Sequence, residues 1–149
     1  DLSEEDKKTL KYGAYLHDIG KIEIPQEILN KKMKLTDEEW EYIKKHPMDG
    51  AEIMKQVPSL EQIGILVLHH HEKYDGSGYP KGLKGKQIPY LVRILAIADS
   101  FDAMTSSRPY QTRKSHEEAF KELRRCKGAQ FDPELVEVFI RALQKTPNH

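Results

Sequence analysis

The residues of this 149-residue chain best suited to chemistry are histidines and aspartates: His17-Asp18, His46, the triplet His69-His70-His71, and Asp99. The triplet ends the apolar run Ile63-Gly64-Ile65-Leu66-Val67-Leu68. A helix apolar on nearly every side is buried, so some of these imidazoles reach the interior or a cleft floor. There they need hydrogen bonds or a metal. Asp99 shares a helical face with Val92, Leu95, Ala96, Asp102 and Ala103. Desolvating a carboxylate there is costly without a cation, and Asp102, one turn on, would repel it. His17 and Asp18 point roughly 100° apart at a helix end, so both can touch one site. Imidazole with carboxylate suits iron, manganese, nickel or zinc better than calcium or magnesium. So large a set, with no thiolate, argues against a closed structural zinc site. It also exceeds what one catalytic ion needs. A carboxylate bridging two ions makes use of it, and such a pair can clamp a phosphoryl group for in-line attack. Only some of three successive helical residues can face one site, and spacing does not choose among His69, His70 and His71.

Other residues could serve an anionic, base-bearing substrate. Lys21 follows a turn and can reach a phosphate oxygen; a solvated lysine at a helix C-terminus is the plainer alternative. Arg108 can make a bidentate phosphate contact, or simply end its helix. Lys81, Lys84 and Lys86 are solvated loop charges able to steer an anion. Tyr79, between Gly78 and Pro80, is held on a tight loop and can stack on a base.

The elements that must position these groups are helices. Ser3 with Asp6, Thr36 with Glu39, and Ser115 with Glu118 read as capping boxes. Leu10, Gly13, Ala14 and His17 form one face of the first helix, which Gly20 stops. Ile22 to Pro25 reads as an extended connector, with Pro25 opening a short helix to Leu29. The helix carrying Trp40 and Ile43 is expected to break near His46-Pro47, because proline removes a donor. A separate helix then runs to Val57-Pro58, and Ser59 caps the buried one. Four glycines between residues 75 and 88 mark an irregular loop. Pro89 opens the Leu91–Met104 helix, and Asp132-Pro133 the last. No alternating strand pattern appears. The fold class is all-α, a single-domain bundle of about seven or eight helices.

Composition narrows the function classes. The 24 basic and 24 acidic residues cancel, which argues against a nucleic-acid polymer as partner. No apolar run approaches the roughly 20 residues of a membrane span. The single Cys126 excludes an internal disulfide and fits a reducing, cytoplasmic setting.

The motifs, in order, are HDIGK at 17–21, HP at 46–47, HHE with DGSGYP at 70–80, RILAIADSFDAMTSSRPY at 93–110, and G..FDP at 128–133. Together they resemble the HD-GYP family, bacterial metal-dependent phosphodiesterases of the HD superfamily that hydrolyse cyclic di-GMP. The resemblance covers nearly the whole chain and implies an HD-domain-like fold. It implies that His17, Asp18, His46, His70, His71 and Asp99 are metal ligands, with Asp18 bridging and His69 the extra histidine. It implies that Lys21 assists at the scissile phosphate and that Tyr79, Asp102 and Arg108 line the dinucleotide pocket. It further implies two or three metals, usually iron and sometimes manganese, and pGpG or GMP as products. An upstream regulatory domain is expected, and a homodimer is compatible. One departure stands out: family members begin with an earlier helix bearing a histidine, and here no histidine precedes His17. Residues 1–149 thus read as an HD-GYP-like catalytic domain lacking its first helix. Two alternatives follow: a non-catalytic module that binds cyclic di-GMP or a protein, or another HD-superfamily nucleotide phosphohydrolase.

Overall fold

The computed structural model describes residues 2–107 and 112–145. Among them are seven α-helices: α1 (Glu4–Leu16), α2 (Gln26–Leu29), α3 (Asp37–Lys55), α4 (Glu61–His69), α5 (Tyr90–Thr105), α6 (His116–Arg125) and α7 (Pro133–Lys145). No strand occurs among the described residues; one isolated bridge joins Lys127 and Phe131. All three expected capping boxes form, each side chain taking an N3 amide while the N3 carboxylate takes the N-cap amide.

Helix α4 is the spine of the site. Its Ile63 and Val67 pack with Met54 of α3, and Leu16 and Ile19 close over them. Its Leu66 packs with Val92 and Leu95 of α5 and with Ile88. Ile97 of α5 then joins Phe120 and Leu123 of α6, Phe131, and Val136 and Ile140 of α7 in a second region of core. Burying each such side chain stabilises the fold by about 1.5–3 kcal/mol. These clusters fix α1, α3, α4 and α5 around one point.

The structure corrects four local expectations. Helix α3 does not break at His46-Pro47 but runs through it, with Pro47 buried inside. An internal proline frees the carbonyl four residues back, here that of Ile43. The His46 ring donates its Nδ1 proton to that carbonyl. A new donor and burial of the proline ring offset the cost of about 3 kcal/mol. Gly20 does not stop α1, which ends at Leu16 with His17 as C-cap. It lies instead in a 3₁₀ turn, Ile19–Glu23, where an extended connector was expected. A Cβ there would stand 1.9 Å from the His46 carbonyl oxygen and 2.6 Å from the Gly50 nitrogen. Glycine is required by close backbone approach. Ser59 does not cap α4: Pro58–Leu60 forms a 3₁₀ turn, and Leu60 precedes the helix without a side-chain cap. Asp99 is not desolvated; its side chain is 50 % exposed.

A buried ion pair ties α5 to α7. Arg93 donates Nη1 to Asp132 Oδ2 and Nε to the Ile88 carbonyl. Asp132 Oδ1 accepts from the amides of Glu134 (3.0 Å) and Leu135 (3.3 Å), capping α7. Arg93→Ala would strand a buried carboxylate, so it should lower stability by about 3–5 kcal/mol. Denaturant unfolding should show this as an earlier midpoint with an unchanged slope.

Candidate metal centre

Three histidines reach the site by one local device. His17 is the C-cap of α1, His70 the C-cap of α4, and His46 precedes the proline in α3. At each place the helical ladder leaves a carbonyl in want of a donor. The rings supply it: His17 Nδ1 to Ala14 O at 2.8 Å, His70 Nδ1 to Val67 O at 2.7 Å, and His46 Nδ1 to Ile43 O. A carbonyl only accepts, so each Nδ1 carries a proton and each ring turns its Nε2 toward the site.

All three Nε2 atoms meet Asp18. Its Oδ1 lies 3.3 Å from His46 Nε2 and 3.5 Å from His70 Nε2. Its Oδ2 lies 3.3 Å from His17 Nε2 and 3.0 Å from Lys21 Nζ. His17 Nε2 is also 3.6 Å from Asp99 Oδ1. His46 and His70 bring their Nε2 atoms within 3.3 Å of each other. Ligand atoms of Asp18, His46, His70 and His71 all lie within 4.8 Å of one another. Burial is graded: the His46 side chain is 0 % exposed and Asp18 41 %. Imidazoles form the floor, and carboxylates with Lys21 form the mouth.

Ring nitrogens and carboxylate oxygens this close together need protons or a cation between them. Protons cannot serve throughout, because imidazolium rings with centroids 4.1–5.2 Å apart repel. Burial, with His70 and His46 beside it, lowers His71 to about 3, leaving a neutral ring. Burial alone would raise the Asp18 carboxyl, but His17, His46, His70 and Lys21 together hold it far below the usual carboxylate range. The Asp18 contact raises His17 against the opposing effect of burial. A carboxylate among imidazole nitrogens fits a borderline transition metal, and no thiolate belongs to the group.

If Pro47 matters through the freed Ile43 carbonyl, Pro47→Ala restores a competing backbone donor and slackens the His46 ring. Metal affinity should fall about tenfold, as when other partners of a metal-ligating histidine are lost. A chelator competition titration would measure it.

The glycine-rich loop is built against this cluster. The Tyr79 ring stacks on His71, centroids 4.9 Å apart and planes 19° apart. Burial and the Asp18 charge raise the Tyr79 phenol above its ordinary range. Tyr79 N–H donates to His71 O at 3.2 Å. A Cβ on Gly78 would meet Lys73 N at 2.3 Å and His71 O at 2.4 Å, so only glycine allows this approach. Where the loop leaves α4, Tyr74 N–H donates to Gln130 O (3.1 Å) and Asp75 N–H to Ala129 O (2.9 Å). The G..FDP segment thus holds the near limb of the loop.

Of the residues singled out by sequence, Asp18, His46, His70 and His71 form the tight group, with His17 against it. Asp99 is reached through His17, and Lys21 through Asp18. Asp102, exposed one turn beyond Asp99, accepts the Ser106 hydroxyl at 2.8 Å. Arg108 lies outside the described residues. His69 turns away from Asp18 to Glu72, whose role sequence reasoning missed. Its place directly after the histidines was the available signal.

Comparison with known proteins places the chain in a family. Residues 1–135 match the HD domain family. A cyclic di-GMP phosphodiesterase of Thermotoga maritima is 47 % identical over 142 residues, covering 94 % of this chain and 39 % of the relative. The cyclic di-GMP phosphodiesterase response regulator RpfG of Xanthomonas campestris is 44 % identical, covering 94 % and 38 %. The chain therefore spans about two fifths of these relatives' length. The crystal structure of a cyclic GMP-AMP specific phosphodiesterase of Vibrio cholerae superposes with a TM-score of 0.74 at 25 % identity, covering 99 % of this chain and 40 % of that one. No helix among the described residues is long and apolar enough to cross a membrane. The chain belongs to the HD domain family and carries the motif set of its HD-GYP branch.

Proposed function

We propose that this domain is a metal-dependent phosphodiesterase that hydrolyses cyclic di-GMP to pGpG or GMP. The convergence of Asp18 with His46, His70 and His71 beneath the Tyr79 loop is the observation that carries this reading. His17, Asp18, His46, His70, His71 and Asp99 would hold two or three transition metals, iron first and manganese as the alternative. Bound metals supply electrophilic stabilisation of phosphoryl oxygens and a nucleophile from water at neutral pH. Asp18 bridges them. Lys21, 3.0 Å from Asp18, stands at the open mouth, where its ammonium can meet a non-bridging phosphate oxygen. Tyr79 offers a ring face to a guanine, and Asp102 and Arg108 are the further residues this reading assigns to the substrate. Control by other domains of a longer protein is part of the reading, supported by the greater length of the relatives.

The experiment is a turnover assay of iron- or manganese-loaded protein on cyclic di-GMP, with product identification. Release of pGpG or GMP is expected; binding without product would favour a non-catalytic module. Cyclic GMP-AMP belongs in the same assay, since the superposed Vibrio cholerae enzyme acts on it. Faster cleavage of that substrate would reassign specificity while keeping the chemistry.

A further inference from the structure

His69 and Glu72 are the polar groups beside the cluster that the reading above does not use. The Glu72 side chain is 0 % exposed, directly after the ligand candidate His71. Its Oε1 accepts the Lys81 amide at 2.8 Å and its Oε2 the Leu83 amide at 3.0 Å. His69 Nδ1 lies 3.4 Å from Oε1. One carboxylate therefore ties the end of the ligand-bearing segment to the returning limb of the glycine loop. Lys81 is two residues beyond Tyr79, so the knot closes just past the stacked ring.

We propose that Glu72, braced by His69, is a positioning residue that holds Tyr79 over the metal centre and thereby sets affinity for a base-bearing phosphodiester. The proposal rests on the phosphodiesterase reading above. Around Tyr79 the loop is held by backbone contacts, its own amide on His71 O and the Gly78 approach to residues 71–73, by the stacking of its ring on His71, and by the two amides on Glu72. Of these, the Glu72 contacts are the ones a buried acidic side chain supplies. Neither Glu72 nor Tyr79 is needed to ligate metal, so loosening this knot shifts substrate binding and leaves the reacting centre intact. Lost ground-state binding appears in KM with kcat unchanged.

Glu72→Gln tests this with minimal change of shape. A carboxamide has one acceptor oxygen and presents N–H donors where the second amide also donates. Metal-loaded wild-type and variant protein are compared on cyclic di-GMP and on methyl p-nitrophenyl phosphate, a diester without a nucleobase. The expected result is a KM for cyclic di-GMP raised about tenfold or more. Its kcat, the small-diester rate and metal content should stay within about twofold. Equal losses on both substrates, or no change on either, overturn the proposal. Wild-type protein that cleaves the small diester but no cyclic dinucleotide overturns the assignment of cyclic di-GMP as substrate and this proposal with it, a different pattern from failure of the proposal alone. If Glu72→Gln does not fold, His69→Ala decides. A rise in KM of about threefold confined to the dinucleotide supports the knot, and anything else overturns it.

Discussion

Asp18→Ala should strip the cluster of metal and lower phosphodiester hydrolysis by about a thousandfold, roughly 4 kcal/mol of transition-state stabilisation. Among the described residues, Asp18 is the one group whose two oxygens face the Nε2 atoms of His17, His46 and His70 together. Removing any single imidazole leaves the others around a carboxylate. Removing Asp18 leaves the His46 and His70 ring nitrogens 3.3 Å apart with nothing anionic between them to share a cation. Metal quantification beside the rate distinguishes lost metal from a misfolded chain, provided the helical circular dichroism is unchanged. Retained metal with near-normal turnover would remove Asp18 from its bridging role.

Gly20→Ala should damage the fold and the metal site together without touching a functional side chain. A methyl group 1.9 Å from the His46 carbonyl must push the 3₁₀ turn off α3. Overpacking against backbone, which cannot rotate away, costs about 3 kcal/mol. For a chain this size that lowers Tm by roughly 6–12 °C. The turn starts one residue after Asp18, so the shift also separates the Asp18 carboxylate from His46. Thermal unfolding with and without metal reads both effects. The expected result is a lower Tm and a smaller rise on metal addition. A variant as stable and as metal-responsive as wild type would mean the turn has slack.

The contrast between these residues shows what the chain makes legible. Ser3, Thr36 and Ser115 act within one helical turn, so their capping boxes could be read from spacing alone. The ligand candidates were legible as types because carboxylates and imidazoles at the ends of apolar runs are costly unless they share a partner. Which histidine of the triplet turns away was not legible from spacing. That depends on Glu72 being occupied by the far limb of the loop. Pro47 and Gly20 were misread for a related reason: local rules assign proline and glycine to helix ends, and tertiary contact overrides them. Pro47 is kept inside α3 by burial and by the His46 ring, and Gly20 by the α3 backbone. Asp99 was expected to be desolvated because its own helical face is apolar, but that face opens at the mouth of the cluster.

The most direct measurement is anomalous scattering from crystals of the iron-loaded protein, with data on both sides of the iron edge. The account predicts iron-specific peaks within bonding distance of Asp18 and the Nε2 atoms of His46 and His70. Iron-loaded protein whose peaks all lie elsewhere, with those nitrogens hydrogen-bonded only to one another and to Asp18, would contradict it.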